Sequence, residues 1–220
     1  MSTGVVAEVA RLGGFFELTR RIDAPVPLRA LLDEPAVLAE RVAATTRALA
    51  ARAGVGVDVI DRRAAASTLH LGLAARIASP VLAAHVLHGA ALPITVDSLS
   101  VSDTDGAVGW TPTGAAPVGM ASVVRDVLDP LAGAVADAVA LSAKVVRGNT
   151  VAAFAGAASV LAALRPEAGA RARAAVGELL DGPLAGTGRY EESGFRRASC
   201  CLYYRLPAAG LCGDCVLRAR

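Results

Sequence analysis

The residues best suited to chemistry in this chain are its four cysteines, and none of them occurs before position 200. The adjacent pair Cys200 and Cys201 is followed after ten residues by the Cys-x-x-Cys pair Cys212 and Cys215. Four thiolates are a complete ligand set for a [2Fe–2S] cluster or for a structural zinc ion. Two intervening residues let both sulfurs of the second pair face one centre, and Gly213 permits the tight turn between them. Neighbouring side chains of an extended strand point to opposite sides. The adjacent pair therefore shares one centre only if the backbone bends there, or if each thiol binds a different iron.

Three other interpretations of the cysteines stay open from the residues alone. Structural zinc sites are usually built from two Cys-x-x-Cys-like pairs, and Cys200–Cys201 is not such a pair. Disulfides are disfavoured in the cytoplasm, where we expect the protein because MSTGVVAEVARLGG lacks the basic start and long apolar run of a secretory signal. Four unligated buried cysteines would need a core that so short a terminal segment lacks.

The composition favours a helical protein of nearly balanced charge. Hydrophobic residues make up 54% of the chain and aromatic residues 4%, and the formal net charge is +2. Apolar mass made of Ala, Val and Leu favours closely packed helices, and the weak charge argues against a nucleic-acid-binding protein.

Three stretches contain no Asp, Glu, Lys or Arg, namely residues 77–96, 106–124 and 148–164. We expect all three to be buried elements and no transmembrane segment, although peripheral contact with a membrane stays open. Prolines or glycines interrupt the first two stretches. The apolar core of the third is about 21 Å long as a helix, against roughly 30 Å of hydrocarbon to be crossed.

The first half of the chain predicts helices and one short strand. Asp33 and Pro35 are typical of a helix start, as the cap and the first-turn residue. The helix that follows has one apolar face, formed by Leu38, Val42 and Leu49. Residues 54–61 are rich in valine and predict a strand. Residues 64–89 predict a helix that is interrupted near Ser79–Pro80.

In the second half of the chain, the spacing of hydrophobic residues first changes from helical to alternating. Residues 94–101 and 107–111 alternate and predict two strands, joined by the turn pair Asp105–Gly106. The helical period returns after Gly119 and continues to Val146, with a kink or helix boundary at Pro130. Two more helices are predicted, at residues 151–164 and from Pro166 to Gly182–Pro183. Residues 182–199 show no period and predict a linker.

A specific resemblance is carried by the segment FRRASCCLYYRLPAAGLCGDCVL. It resembles the C-terminal [2Fe–2S] motif of the FhuF-type ferric siderophore reductase family, CC-x10-CxxC. The flanking residues of that motif are matched as well, at Tyr203, Tyr204, Arg205, Pro207, Gly213 and Asp214. Upstream, VRGNT is similar to a W-G-N segment of the family, with Arg147 where a tryptophan is common. Weaker similarity covers Leu69–His70–Leu71 and Ala75–Arg76.

The resemblance implies a cofactor and a reaction. Cys200, Cys201, Cys212 and Cys215 would bind a [2Fe–2S] cluster, and no catalytic residue beyond the cluster is expected. The enzyme would be an oxidoreductase acting on metal ions, which passes one electron to the Fe³⁺ of a ferric siderophore and releases Fe²⁺ in the cytoplasm. The electron would come from an external donor, a ferredoxin or a reduced flavin or flavoprotein, because the sequence contains neither G-x-G-x-x-G nor a P-loop. The alternatives are a non-enzymatic [2Fe–2S] electron carrier or redox or iron sensor, and a siderophore-binding protein with structural zinc.

Five further residues are candidates for guiding the substrate or the donor. Arg196, Arg197 and Arg205 lie close to the cysteines in sequence, and nearby cations would raise the potential of an anionic cluster and attract an acidic ferredoxin or an anionic siderophore. The alternative is a solvated basic tail, in which such charges interact weakly. Trp110 is a candidate for a siderophore pocket, although a lone tryptophan is more often a core residue. Asn149 belongs to the W-G-N-like segment.

The histidines and tyrosines have simpler explanations. His85 and His88 share a helix face, but no carboxylate lies within a turn of either, so these residues and His70 are expected in the core or in grooves instead of at a metal. Tyr203 and Tyr204 are expected to pack the cysteine segment against the rest of the chain.

These patterns together predict an α+β fold: a predominantly α-helical body with a small antiparallel β hairpin and a short C-terminal iron–sulfur appendage. Residues 1–190 would form a FhuF-like ferric reductase or siderophore-binding body. Residues 191–220 would form the [2Fe–2S]-binding segment.

Overall fold

The structure, a computed structural model, describes residues 3–19, 22–102, 106–112 and 118–218. Its helices are α1 Thr3–Ala10, α2 Leu28–Asp33, α3 Pro35–Ala53, α4 Arg62–His88, α5 Met120–Val123, α6 Asp129–Ala138, α7 Ala143–Leu164 and α8 Gly169–Asp181. Its strands are β1 Pro25–Pro27, β2 Leu99–Ser102, β3 Val108–Trp110, β4 Gly188–Glu191 and β5 Gly194–Arg197. Helices dominate and two small antiparallel sheets accompany them, so the predicted α+β fold is confirmed.

The predicted hairpin forms part of a three-stranded sheet with the order β1–β2–β3. Val101 pairs with Val26 on one side and with Val108 on the other, and both neighbours of β2 run antiparallel to it. The strands are shorter than predicted, because residues 94–98 form a loop and the 3₁₀ turn Val96–Ser98. Asp105 of the predicted turn lies outside the described residues.

The N-cap residue of α3 differs from the predicted one by one position. Asp33 ends the preceding helix α2, and Glu34 occupies the N-cap position without a side-chain hydrogen bond. Pro35 is the first helical residue, as predicted. Two residues of the predicted apolar face, Leu38 and Val42, are buried.

The predicted strand at residues 54–61 is wrong. Val57–Val59 form a 3₁₀ turn in which both valines are exposed, so they lack the half-buried surface that stabilises a strand. Asp61 then caps α4, because its carboxylate accepts hydrogen bonds from the N–H groups of Arg63 at 2.8 Å and Ala64 at 3.1 Å.

Helix α4 runs without interruption through Pro80, against the prediction. A proline inside a helix leaves one carbonyl without its usual donor, here that of Arg76, at a cost of about 3 kcal/mol. The neighbouring Ser79 hydroxyl donates to the carbonyl of Ala75 at 2.7 Å. Every residue from Ile77 to Ala84 is buried, and this packing outweighs the tendency of proline to break a helix.

Helices α4 and α7 form the centre of the fold, and α4 packs most extensively against α7. Both are long and apolar enough to cross a membrane by length and composition, yet 72% and 61% of their most apolar windows are buried inside the fold. This is the burial of core helices. It agrees with the expectation that the charge-free stretches within them are buried elements.

The prolines of the second half lie at element boundaries, as predicted. One π-helical turn, Val124–Leu128, separates α5 from α6, and Pro130 lies in the first turn of α6. A 3₁₀ turn, Pro166–Ala168, precedes α8, which ends at Asp181 before Gly182.

The predicted linker at residues 182–199 is wrong. Strands β4 and β5 pair antiparallel in this stretch, and Gly194 adopts a φ of +120° that favours glycine at the turn. The rings of Tyr190 and Phe195 pack edge to face across the hairpin, with centroids 5.6 Å apart. The hairpin therefore delivers the chain to the cysteines along a defined path.

Candidate metal centre

The cysteine segment, residues 198–218, continues from β5 and lies against α4 and α7. The N–H of Arg197 donates to the carbonyl of Asp214 at 3.2 Å, and the N–H of Ala198 donates to the carbonyl of Thr187 at 2.8 Å. The first bond brings the Cys-x-x-Cys turn beside the end of the hairpin. The two cysteine pairs are thus brought together by backbone contacts that belong to β5.

A buried chain of polar side chains attaches the segment to the two central helices. Nη2 of Arg197 donates to Oδ1 of Asn149 on α7 at 2.5 Å. Nδ2 of Asn149 donates to Oγ and to the carbonyl of Ser67 on α4, at 3.0 and 2.9 Å. Oγ of Ser67 donates to the carbonyl of Cys201 at 2.7 Å. These side chains are all buried, so hydrogen bonds that originate on α4 and α7 fix the backbone at Cys201.

Gly148 leaves the space that this attachment needs. A Cβ at this position would lie 2.2 Å from Oγ of Ser199 and 3.0 Å from Nη2 of Arg197. Oγ of Ser199 donates to the carbonyl of Lys144, one turn earlier on α7, at 2.6 Å. Only glycine allows the segment to approach the helix so closely.

The backbone bends directly after the adjacent cysteines. Leu202 adopts a φ of +65°, and its N–H donates to Sγ of Cys200 at 3.3 Å. Cys201 is buried while Cys200 is only half-buried. The bend is one of the two arrangements by which neighbouring thiols can serve one centre.

The second pair forms a tight turn of its own. The N–H of Cys215 donates to the carbonyl of Cys212 at 3.3 Å, and the N–H of Leu217 donates to Sγ of Cys215 at 3.3 Å. Sγ of Cys212 lies 3.4 Å from Sγ of Cys201, so the two pairs meet through these sulfurs.

The donor set fits a [2Fe–2S] cluster. All four thiols are free, and two of them accept backbone N–H bonds of the kind that set cluster potentials. Within the described ranges, no three or more His, Cys, Asp or Glu side chains gather around a single ion position. A [2Fe–2S] cluster takes two protein sulfurs for each iron, and Cys201 and Cys212 bring two sulfurs within 3.4 Å of each other.

The thiol pair that meets across the site has unequal pKa values. The pKa of Cys201 is lowered to about 6, chiefly because the Cys212 thiol donates a hydrogen bond to it. The N–H of Tyr203 and the charge of Arg197 act in the same direction, against the effect of burial. The pKa of Cys212 is raised because this thiol donates the shared proton.

Arg197 places a positive charge inside the protein beside this pair. The side chain is 1% exposed, so it is not part of a solvated tail. Among the described residues, its Nε and Nη1 atoms have no hydrogen-bond partner. The same charge, after burial itself, lowers the pKa of the buried His70 to about 3, so His70 is neutral.

The other two arginines lie nearer to solvent. Nε of Arg196 is 2.9 Å from Oε2 of Glu191, and Nη1 donates to the carbonyls of Cys215 and Arg218 at 3.4 and 3.2 Å. Nη1 of Arg205 forms an exposed ion pair of 3.2 Å with Oδ2 of Asp61 at the start of α4. Both side chains carry charge near the site, and Arg196 also joins the segment to the β4–β5 hairpin.

Leu206 and Leu202, and not the tyrosines predicted for this role, supply apolar contacts between the segment and the rest of the fold. Leu206 packs in a small cluster with Ala50, Ile60, Ala64 and Ala65. Tyr203 and Tyr204 are 38% and 43% exposed.

The remaining candidates lie elsewhere. Trp110 is a buried core residue of β3. Arg147 forms an ion pair with Asp129 of α6 at 3.3 Å and donates to the carbonyl of Pro183. His70 lies in the core as expected, and Nε2 of His88 is 3.6 Å from Oε2 of Glu8.

Comparison with known proteins identifies the cysteine segment. The family model described as the FhuF 2Fe-2S C-terminal domain matches residues 197–217, which include all four cysteines and Arg197. A search of the curated proteins found no match to the chain. The matched residues confirm the resemblance seen in the sequence. The chain thus carries a FhuF 2Fe-2S C-terminal domain and is an iron–sulfur protein with a [2Fe–2S] cluster as its cofactor.

Proposed function

We propose that the protein is a cytoplasmic ferric-siderophore reductase whose cluster is bound by Cys200, Cys201, Cys212 and Cys215. The observation that carries this proposal is the FhuF 2Fe-2S C-terminal domain match at residues 197–217. A bound [2Fe–2S] cluster supplies a one-electron couple, so each Fe³⁺ reduced to Fe²⁺ uses one electron that an external ferredoxin or reduced flavoprotein must replace. Siderophore oxygens are hard anionic ligands that hold Fe³⁺ far better than Fe²⁺, so the reduced iron is released.

The buried guanidinium of Arg197 would set the potential of the site. Its charge lies beside Cys201, where desolvation strengthens electrostatic effects. A fixed cation favours the more negative, reduced state and raises the potential. Asn149 orients this guanidinium by accepting its Nη2–H bond.

Backbone N–H groups would also raise the reduction potential of the cluster. The N–H groups of Leu202 and Leu217 donate to the sulfurs of Cys200 and Cys215. Such bonds disperse the negative charge of thiolate ligands and raise the potential. The bend at Leu202 is what aims the first of these N–H groups.

The exposure of the thiols indicates where electrons would enter and leave. Cys201 and Cys215 are buried, whereas Cys200 and Cys212 are half-buried. The side of the centre formed by Cys200 and Cys212 is therefore the one that a donor protein or a ferric siderophore can approach.

The test starts with the protein purified without oxygen. We expect a brown protein with iron and sulfide in equal amounts, whose visible absorption bleaches with dithionite. Colourless protein with stoichiometric zinc would contradict both the cofactor and the reaction.

The second step measures turnover. Dithionite-reduced protein is mixed with hydroxamate, catecholate and citrate complexes of Fe³⁺, and reoxidation and Fe²⁺ captured by a ferrous chelator are followed. The matching Ga³⁺ complexes are the control, because Ga³⁺ does not accept an electron under these conditions. If no ferric complex reoxidises the protein, the reductase proposal fails and an electron carrier or a sensor remains.

A further inference from the structure

A groove between α3 and α4 is lined by arginines from both helices. Its volume is about 350 Å³, within the range of small-molecule sites. On α3 the lining residues Arg41, Thr45, Ala48 and Arg52 follow the spacing of a single helix face. On α4 the lining includes Thr68, Gly72 and Arg76, which are four residues apart and share a face as well.

The described residues that line the groove carry positive charge. Its described lining contains three arginines and no carboxylate. Arg41 donates to the carbonyl of Ser102 and belongs to the structure of the groove. Arg76 lies over the ring of Phe15, 4.9 Å from its centroid, and Arg52 is exposed. For Arg52 and Arg76 no ion pair is formed within the part of the chain that the structure describes.

The groove leads to the cysteine segment. A second cavity of about 220 Å³ shares three lining residues with the first, namely Leu49, Arg52 and Thr68. Its other wall is formed by the cysteine segment, from Tyr203 and from Leu206 to Ala209. Thr68 directly follows Ser67, whose hydroxyl is bonded to the carbonyl of Cys201. The end of the groove marked by Arg52 therefore borders the cysteine segment.

We propose that this groove binds the ferric siderophore, and that it selects anionic complexes such as Fe³⁺ catecholates over neutral or cationic hydroxamates. The inference rests on the proposed reductase function. Arg52 and Arg76, at the two ends of the groove, bind the anionic oxygens of the siderophore. The small side chains between them, together with Gly72, leave room for the iron chelate. Arg52 holds the complex at the end where the electron arrives.

The experiment measures binding without electron transfer. The cluster-loaded protein is titrated by calorimetry with the Ga³⁺ complex of a tris-catecholate, and with the Ga³⁺ complex of a neutral trihydroxamate. The variants are Arg52→Glu and Arg76→Glu. The control is Arg171→Glu, which makes the same change of charge at an exposed position of α8.

We expect Arg52→Glu and Arg76→Glu each to weaken catecholate binding by about tenfold or more, because each removes a charge-assisted contact and adds a repulsive one. Hydroxamate binding should change little, and Arg171→Glu should bind the catecholate like the unaltered protein. Added salt should weaken catecholate binding only.

Gly72→Phe provides a second variant that does not depend on charge. Gly72 lines the groove, and a Cβ at this position meets no atom within 4 Å, so a side chain there begins in open space. We expect this variant to lose binding while its helical signal and cluster spectrum are retained.

Catecholate binding that is equal in the unaltered protein, Arg52→Glu and Gly72→Phe would overturn the inference, even if the protein reduces ferric siderophores. Failure of the unaltered protein to bind either Ga³⁺ complex, while it reduces their Fe³⁺ counterparts, would also overturn it. If the groove binds the catecholate as expected but no Fe³⁺ complex is reduced, the groove remains the binding site and the reductase proposal fails.

Discussion

Helices α4 and α7 take part in two interfaces that are stabilised in opposite ways. Against each other they pack through apolar side chains, many of them alanines, which are buried along most of both helices. Against the cysteine segment they present a few polar groups, Ser67 and Asn149, and the segment contributes the buried Arg197. The stabilisation from apolar burial is the sum of small contributions from many residues, so no single residue is essential to it. A polar chain depends on each of its members, because a buried group left without its partner costs about 1–3 kcal/mol. The cysteine segment should therefore be far more sensitive to single substitutions than the body.

The largest effect should come from a change at the centre itself. In Cys201→Ser the hydroxyl replaces a buried thiol whose sulfur lies 3.4 Å from that of Cys212. We expect the visible spectrum of the cluster to be lost, while far-ultraviolet circular dichroism still shows the helices of the body. An intact, native spectrum would mean that Cys201 is not a ligand.

Gly148→Ala, compared with a second glycine substitution on α7, should show that the interface with the cysteine segment is the more sensitive one. The new methyl group would overlap with Oγ of Ser199, so we expect a lower cluster content and faster cluster loss on exposure to a chelator. The matched control is Gly156→Ala, also on α7, where a Cβ meets no atom within 4 Å. That control should keep its cluster and gain about 1 kcal/mol from the better helix propensity of alanine. Equal cluster contents in the two variants would refute the role given to Gly148.

The buried His70 should make the stability of the protein depend on pH. Its pKa is lowered to about 3, so below an unfolded-state pKa of about 6.5 the unfolded chain binds a proton that the native protein does not. Stability should be unaffected by this group above that pH and should fall by about 1.4 kcal/mol for each pH unit below it, until the native pKa is reached. Urea unfolding at pH 6.5 and pH 5 should show a loss that is about 2 kcal/mol smaller in His70→Leu. The same loss in both proteins would contradict the shift.

The smallest effect should come from the exposed contact of the segment. Arg205→Ala removes the ion pair with Asp61, whose two side chains are 42% and 29% exposed. Exposed pairs contribute about 0–1 kcal/mol, so the unfolding free energy and the cluster content should hardly change. A loss as large as that of Gly148→Ala would show that the segment is held by its surface and not by its buried polar groups.

Local patterns in the sequence were sufficient to predict features that depend on neighbouring residues. The antiparallel hairpin, the helix boundary at Pro130 and the start of α3 at Pro35 follow from turn chemistry and periodicity. The cysteine spacing predicted a metal centre, and the resemblance to the FhuF-type family pointed to the cofactor.

The features that were mispredicted or missed depend on residues far apart in the chain. Core packing keeps α4 helical at Pro80, and no local pattern contains that information. Ser67 is one of three hydroxyl residues in the alanine-rich helix α4, and its partner Cys201 is 134 positions away. The β4–β5 hairpin could have been found, because Tyr190 and Phe195 flank the turn residues that end in Gly194. The groove between α3 and α4 becomes visible only when the two helices are placed side by side.

The order of the polar chain along the sequence has a consequence for synthesis. Ser67 and Asn149, which receive the cysteine segment, are both made well before Arg197 and the cysteines. During synthesis the chain leaves the ribosome from its N-terminal side, so earlier segments are available to fold first. Ser67 and Asn149 can therefore leave the ribosome before the cysteines do, and iron–sulfur assembly can act on a cysteine segment whose docking helices are already present.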